Sequence, residues 1–353
     1  MPPLQQIKQP ESLTLHLKTL TPLYTGGIGQ YGEQIHPSGL LGSLRHFSCL
    51  LAAAIGDSGF ETRVWGTTTQ ENHQNVHAKT VALRWDVSRL ETQQLPERVL
   101  FNQLSWQDDQ HQHRGWFYNV AQKGSITLTL TQRSISETDW QLLKLALRIQ
   151  IIHATLGAKD QFGLGVVTLD KLPDVKPLSK EVLGESLTDQ PSLHNAFFAE
   201  IRFPCAAPDS LHQRIEAGLR WRAHLRGKFR QAGETELRHY LFGDLRDKWG
   251  SAINVSAVYP LTQNESALRV WGVLPHTRKK SFKIFNQIVS QREQILRRIE
   301  TALDTAPKTP CTKEHINWKV CSTENIANWI NQLNLLSNQT TVQRQRKVIR
   351  GII

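Results

Sequence analysis

The order in which hydrophobic periods follow one another narrows the folds open to this chain. Residues 12–20, SLTLHLKTL, alternate apolar and polar positions, the period of a half-buried strand. After a glycine-containing turn, HPSGLLGSLRHFSCLLAAAIG changes to the helical period, with Leu40, Leu41, Leu44, Phe47, Leu51 and Ala54 on one face, Ser38 placed to cap and Gly56 to stop it. Two strand patterns follow, KTVALRWDV (79–87) and SITLTLTQR (125–133), separated by a polar insertion whose tip, SWQDDQHQHRGWFYN, suits an exposed hairpin or loop. A second helix, SETDWQLLKLALRIQIIHATLG, has Ser136 and Asp139 at capping-box spacing and Gly157 as its stop, and the strand FGLGVVTL closes the unit. The order β-α-β-β-α-β over residues 12–170 is the ferredoxin-like pattern.

The second half runs the same course. AFFAEIRFP reads as a strand, SLHQRIEAGLRWRAHLRGKFRQ as a helix, SAINVSAVYPL and ALRVWGVLP as a strand pair, IFNQIVSQREQILRRIETAL as one helix, INWKVCS as a last strand and TENIANWINQLNLLSN as a further helix. Short segments recur in order: SLRHF, then VWG, then NVHAKTVAL in the first half, and HLRGKF, LFG and INVSAVYPL in the second. The expectation is an α+β chain of two tandem ferredoxin-like domains with inserted loops and a C-terminal helical extension. Residues 1–172 form the first domain, the proline-bearing stretch 173–194 the linker, and 195–353 a basic second domain ending in a helix and tail. A length of 353 residues fits two cores better than one.

Net charge is +11, but its placement says more. Residues 101–200 carry 9 Lys and Arg against 11 Asp and Glu, whereas residues 201–300 carry 18 against 9. Cations gathered in one half point to a polyanionic partner, because they release counterions from a phosphate backbone. RWRAHLRGKFR places Arg220, Arg222, Arg226, Lys228 and Arg230 within eleven residues, with Trp221 and Phe229 beside them, and reads as a basic helix face for RNA. A solvated helix surface is the plainer alternative.

Several chemistries are disfavoured. The TGGIG turn is no P-loop, since no lysine occurs between Lys18 and Lys79, and a dinucleotide site lacks the acidic residue beyond a following strand that would hold the ribose. His73 with His77, and His111 with His113, have no convincing third ligand, so no metal or other cofactor is expected. No nucleophile elbow occurs. His36 and His46, flanking the turn, are the candidate general base and acid on a ribose 2′-OH, or plain surface histidines. Cys49, Cys205, Cys311 and Cys321 are too few and scattered for a disulfide scaffold and are expected as reduced core thiols. Neither a secretion signal nor an apolar span is visible, so a cytoplasmic protein without membrane contact is expected.

The glycines remain. Gly26 and Gly27 could form a plain turn, but Gly163 and Gly165 leave a second stretch of bare main chain in the same unit, whose N–H groups can meet phosphates. LTPLYTGG, IHPSGLLGSLRHF, VWG and FGLGVV together resemble the RAMP superfamily of CRISPR-associated proteins, within it the first RAMP subunit of the type III-B Cmr effector complex. The likeness covers residues 13–66 and 162–167, and departs from the family at Ser43, at Thr62-Arg63, and in the absence of a glycine-rich strand start in the second half. It implies a non-catalytic subunit holding the 3′ part of a guide RNA and its paired target RNA, in contact with other RAMP subunits. The alternative within that superfamily is a metal-independent endoribonuclease maturing guide RNA through His36 or His46. The RNA-binding residues expected are Tyr24, Thr25, Gly26 and Gly27 in the loop, Arg45 and His46 on the first helix, and Lys79. To these are added Lys159, Gln161, Gly163 and Gly165 at the second glycine site, and Arg222, Arg226, Lys228 and Arg230 on the basic helix.

Overall fold

The computed structural model describes residues 10–25, 34–66, 78–95, 106–107, 113–114, 120–158, 163–175, 190–231, 233–243, 250–275, 282–305, 315–320 and 326–335. Its first sheet is built from β1 (Ser12–Thr19), β2 (Val81–Gln94), β5 (Val120–Gln132) and β6 (Val167–Leu169), in the antiparallel order β2-β5-β1-β6. Helices α1 (Pro37–Ala54), α2 (Phe60–Trp65) and α3 (Glu137–His153) supply the cover. Leu15 and Leu17 on β1 and Ile126, Leu128 and Leu130 on β5 are buried beneath the helices, while Ser12, Thr14, His16 and Lys18 alternate outward. Within the polar insertion, Trp106–Gln107 (β3) pairs antiparallel with His113–Arg114 (β4).

In the second half, β7 (Ala196–Phe203), β8 (Ile253–Val255), β10 (Ser266–Val273) and β11 (His315–Val320) take the order β11-β7-β10-β8, and β9 (Tyr259–Pro260) pairs with β10. Numbered by appearance, leaving out the short β3, β4 and β9, both sheets run fourth-first-third-second. The helices are α4 (Leu211–Gly227), α5 (Thr235–Phe242), α6 (Phe282–Ser290), α7 (Arg292–Asp304) and α8 (Ile326–Leu335). VWG and LFG play matching parts: each ends a short helix, α2 or α5, and the glycine takes a left-handed φ, +76° at Gly66 and +84° at Gly243.

The two halves share a core. Every residue of β10 is buried, because one face meets its own helices through Leu268 and Val270 while the other presents Arg269, Trp271 and Val273 to the first half. Arg269 Nη1 donates to the carbonyls of Ile151 (2.8 Å) and Ala154 (3.0 Å) at the end of α3, and Trp271 Nε1 donates to Thr155 Oγ1 at 3.1 Å. α8 packs into the same core through Trp329, Ile330 and Leu333, with Trp329 Nε1 donating to Leu193 O.

Four expectations are corrected. Ser38 does not cap α1: the helix starts at Pro37, whose fixed φ suits a first helical position, and the amide of the capping residue His36 donates to Thr25 Oγ1 at 2.8 Å. The basic helix stops at Gly227, so Arg230 lies beyond it. The single helix read over 284–303 is two, parted at Gln291 (φ −111°, ψ 13°). Cys205 is disulfide-bonded rather than reduced, whereas Cys49 is a free thiol. The Ser136 cap is present, its hydroxyl accepting from Asp139 N at 3.0 Å, and Ser136→Ala is expected to cost about 1 kcal/mol by urea denaturation.

Candidate nucleic-acid interface

The chain leaving β1 is clamped at every step. Leu20 and Thr21 amides donate to Val166 O (2.8 and 3.2 Å), Val166 N returns a bond to Thr21 Oγ1 (2.9 Å), and Gly165 N donates to Pro22 O (2.9 Å). Leu23 exchanges two bonds with Gln122, and Ala158 N donates to Tyr24 O at 2.7 Å. Gly39 allows the start of α1 to approach, since a Cβ there would lie 2.5 Å from Thr25 O. Segments from residues 20–25, 36–39, 155–158 and 163–166 therefore converge, although more than a hundred residues separate the first from the last.

Two sequence departures acquire roles, one at this junction and one at the far end of α3. Ser43 Oγ accepts from Gly157 N (3.1 Å) and from Gln150 Nε2 (2.8 Å), tying α1 to the end of α3. Arg63 bridges Asp57 and Asp139 at 2.6 and 2.8 Å, holding α2 against the first turn of α3.

The expected contacts fare unequally. Tyr24 is 2% exposed and packs with Leu164, Leu219 and Ala257, and burial pushes its phenol pKa up. Its ring is core, with no face left for a base. Thr25 is buried, its hydroxyl occupied by the His36 amide. Gly26, Gly27, Lys159 and Gln161 lie outside the described residues. Gly163 and Gly165 correct the reading of free N–H groups: both are buried, the Gly165 amide is spent on Pro22, and the space a side chain would need is filled by main chain. A Cβ on Gly163 would lie 2.5 Å from Ala257 N in the second half, and the Gly163 carbonyl accepts from that amide at 3.0 Å. These glycines are where two backbones meet.

Arg45, His46 and Lys79 are exposed. Arg45 pairs with Glu61 at 2.7 Å, both side chains about half exposed, a contact worth little that a phosphate can replace. Protein packed around the His46 ring lowers its pKa, against the opposing pull of Glu61, so it offers hydrogen bonds rather than charge. His36 caps α1 and His46 lies ten residues on, about 15 Å along the axis at the helical rise. Acid and base on one ribose cannot stand that far apart. Of the metal candidates, His73, His77 and His111 fall outside the described residues, as does the side chain of His113.

Trp221 on α4 and Phe229 just beyond it are buried in the second core and present no stacking face, and Arg222 donates to Phe242 O. Arg226 is half-buried, whereas Lys228 and Arg230 are exposed just beyond the helix. A pattern the sequence did not announce links these arginines: many donate to main-chain carbonyls. Arg148 reaches Pro173 O, Arg214 reaches Pro208 O, Arg292 reaches His194 O and Arg298 reaches Lys228 O. A carbonyl fixes the guanidinium that donates to it, and at Arg298 the Glu234 carboxylate, 2.5 Å away, also balances the charge.

No family model matches the sequence, and no curated protein is similar to it in sequence. Similar solved structures include Cmr1 from Pyrococcus furiosus in its apo form, 14% identical, aligned over 80% of this chain and 97% of that one with a TM-score of 0.46. A chain of the type III-B Cmr-beta complex bound to cognate target RNA is 10% identical over 84% of this chain and 100% of that one, at a TM-score of 0.43. Cmr6 from Pyrococcus furiosus aligns over 46% of this chain and 99% of its own, at 14% identity and a TM-score of 0.23.

Proposed function

We propose that the chain is a RAMP-type, non-catalytic subunit of a type III-B RNA-targeting ribonucleoprotein, in contact with guide RNA, target RNA and neighbouring RAMP subunits. The observation that carries the reading is the convergence of its motif pieces: the Thr-Pro strand end, the proline-led helix start and the glycine site, distant in sequence, meet at one junction, with the exposed Arg45 and His46 following Ser43, whose hydroxyl is tied to it. The shared fourth-first-third-second strand order in both sheets supports two ferredoxin-like domains, 1–172 and 195–353 with 173–194 between them. A protein of this kind reads backbone and shape while base pairing reads sequence, which fits exposed cations such as Arg45, Lys228 and Arg230. The about 15 Å between His36 and His46 favours holding RNA over cutting it.

Sequencing the RNA that copurifies with the tagged chain from its native host tests the reading: repeat-spacer transcripts are expected, and their absence would refute it. Lys228→Glu with Arg230→Glu is expected to weaken RNA binding and flatten its dependence on salt by about one unit of log–log slope for each phosphate no longer neutralised. Unchanged binding would remove this edge from the interface.

A further inference from the structure

The first sheet ends in a long free edge. β2 runs for 14 residues, paired with β5 on one side and with no strand among the described residues on the other. Its register shifts at one place: Asp86 faces Thr127 and Arg89 faces Ser125, so Val87 and Ser88 together oppose Ile126. The shift reverses the alternation along β2. Arg84, Asp86, Arg89 and Glu91 therefore all lie on the solvent face, opposite Thr129, Thr127, Ser125 and Lys123, and all are exposed. Arg84 and Arg89 lower the Asp86 pKa, whose carboxylate accepts from Ser88 N at 3.0 Å, but none of the four charges forms an ion pair among the described residues. Leu83, Trp85, Val87 and Leu90 are half-buried on the other face, at the rim of the first core.

We infer that β2 is a self-complementary edge, through which two copies of this chain pair antiparallel about a two-fold axis between Val87 and Ser88 and join their first sheets into one. About that axis Arg84 meets Glu91 of the second copy and Asp86 meets its Arg89, each pair occurring twice, while Trp85 meets Leu90 on the inner face. Main-chain direction agrees. Outward His16 on β1 turns its carbonyl to Asp170 on the β6 side, so across the antiparallel ladders outward residues of β2 turn toward β5, and Leu83, Trp85 and Leu90 offer N–H and C=O to the free edge. The charged pairs then fall at non-hydrogen-bonded positions, where opposite side chains come closest. Register is fixed as well: a slip of two residues either way sets Arg84 against Arg89, or Asp86 against Glu91. A strand of another protein needs the same charges in the same order to fit, whereas a second copy presents them by construction. An RNA strand meets as many carboxylates as guanidiniums along β2 and leaves the open main chain unpaired. The inference goes beyond the RNA reading and does not depend on it.

The purified full chain tests it. In sedimentation velocity it is expected to dimerise reversibly across the micromolar range, with amides of 81–94 exchanging hydrogen more slowly as the dimer forms. Arg84→Glu or Glu91→Arg alone is expected to weaken dimerisation by about tenfold or more at an unchanged melting temperature, since each sets like charges opposite in both symmetric pairs. Mixing the two variants is expected to restore it, because their heterodimer holds only opposite pairs. A chain that stays monomeric, single variants that dimerise as the parent does, or a mixture that fails to recombine overturns the inference. Should a variant melt early, hydrogen exchange of the parent chain decides, and protection of 81–94 that does not rise with concentration overturns the pairing. In its host, Ser88→p-benzoylphenylalanine is expected to crosslink the chain to itself on irradiation; a crosslink to another protein or to RNA in its place overturns the assignment of a second copy.

Discussion

Gly165→Ala is expected to destabilise the chain by on the order of 3 kcal/mol or more, enough to leave much of it unfolded at 37 °C. The residue sits at φ +89°, where a side chain is strained, and its Cβ would fall 2.2 Å from Leu156 O. Neither neighbour can retreat: Leu156 N donates to Gly165 O at 2.8 Å, and Gly165 N is tied to Pro22 O. Equilibrium urea denaturation reads the loss, and a change below about 1 kcal/mol would show that the junction yields more easily than its geometry states. Gly42→Ala is the matched control, a helical glycine with nothing within 4 Å of its Cβ, expected to stabilise by about 0.5–1 kcal/mol.

Arg269→Met is expected to cost about 3–5 kcal/mol and to let the halves unfold separately. The change deletes two bonds that cap α3 from across the molecule and leaves Glu200 short of a cation. Burial pushes the Glu200 carboxyl up, but Arg202 and Arg269 outweigh it, with hydrogen bonds from Arg202 and Tyr259, and hold the pKa below the usual carboxylate value. A depressed carboxylate gives stability that is fully present above its unfolded pKa and lost as pH falls through the folded one. Removing Arg269 raises the folded value, so acid unfolding should begin at higher pH in the variant. Arg269→Lys should restore only part, because one ammonium in place of Nη1 can meet the Ile151 and Ala154 carbonyls but cannot also lie over the Tyr259 ring as the guanidinium does. A single calorimetric transition at an unshifted acid midpoint would contradict the assignment.

Much of the layout was legible because it rests on local periods. The alternation of residues 12–19, the Ser136–Asp139 cap and the aromatic-glycine ends of α2 and α5 each depend on neighbours a few residues away. What the sequence hid depends on distant partners. Nothing in FGLGVV says that Gly165 meets Leu156 or that Gly163 meets Ala257, so bare backbone read as a cradle for phosphate was backbone pressed on backbone. Likewise RWRAHLRGKFR carries no sign that Arg222 turns toward Phe242 O or that Trp221 is core. Arg45, His46 and Lys79 are exposed, as polar residues off an apolar face are expected to be, because exposure needs no distant partner.

The docking of α8 has a consequence for biosynthesis. Trp329, Ile330 and Leu333 complete a core otherwise built largely from residues before 200, and His153 Nε2 lies 3.1 Å from Leu333 O. On the ribosome the first sheet and its helices emerge long before residue 335, so the nascent N-terminal half waits with an uncovered apolar seam. At about 5–20 residues per second that wait lasts on the order of ten seconds or more, a window in which a chaperone that shields the seam would raise the yield of folded chain.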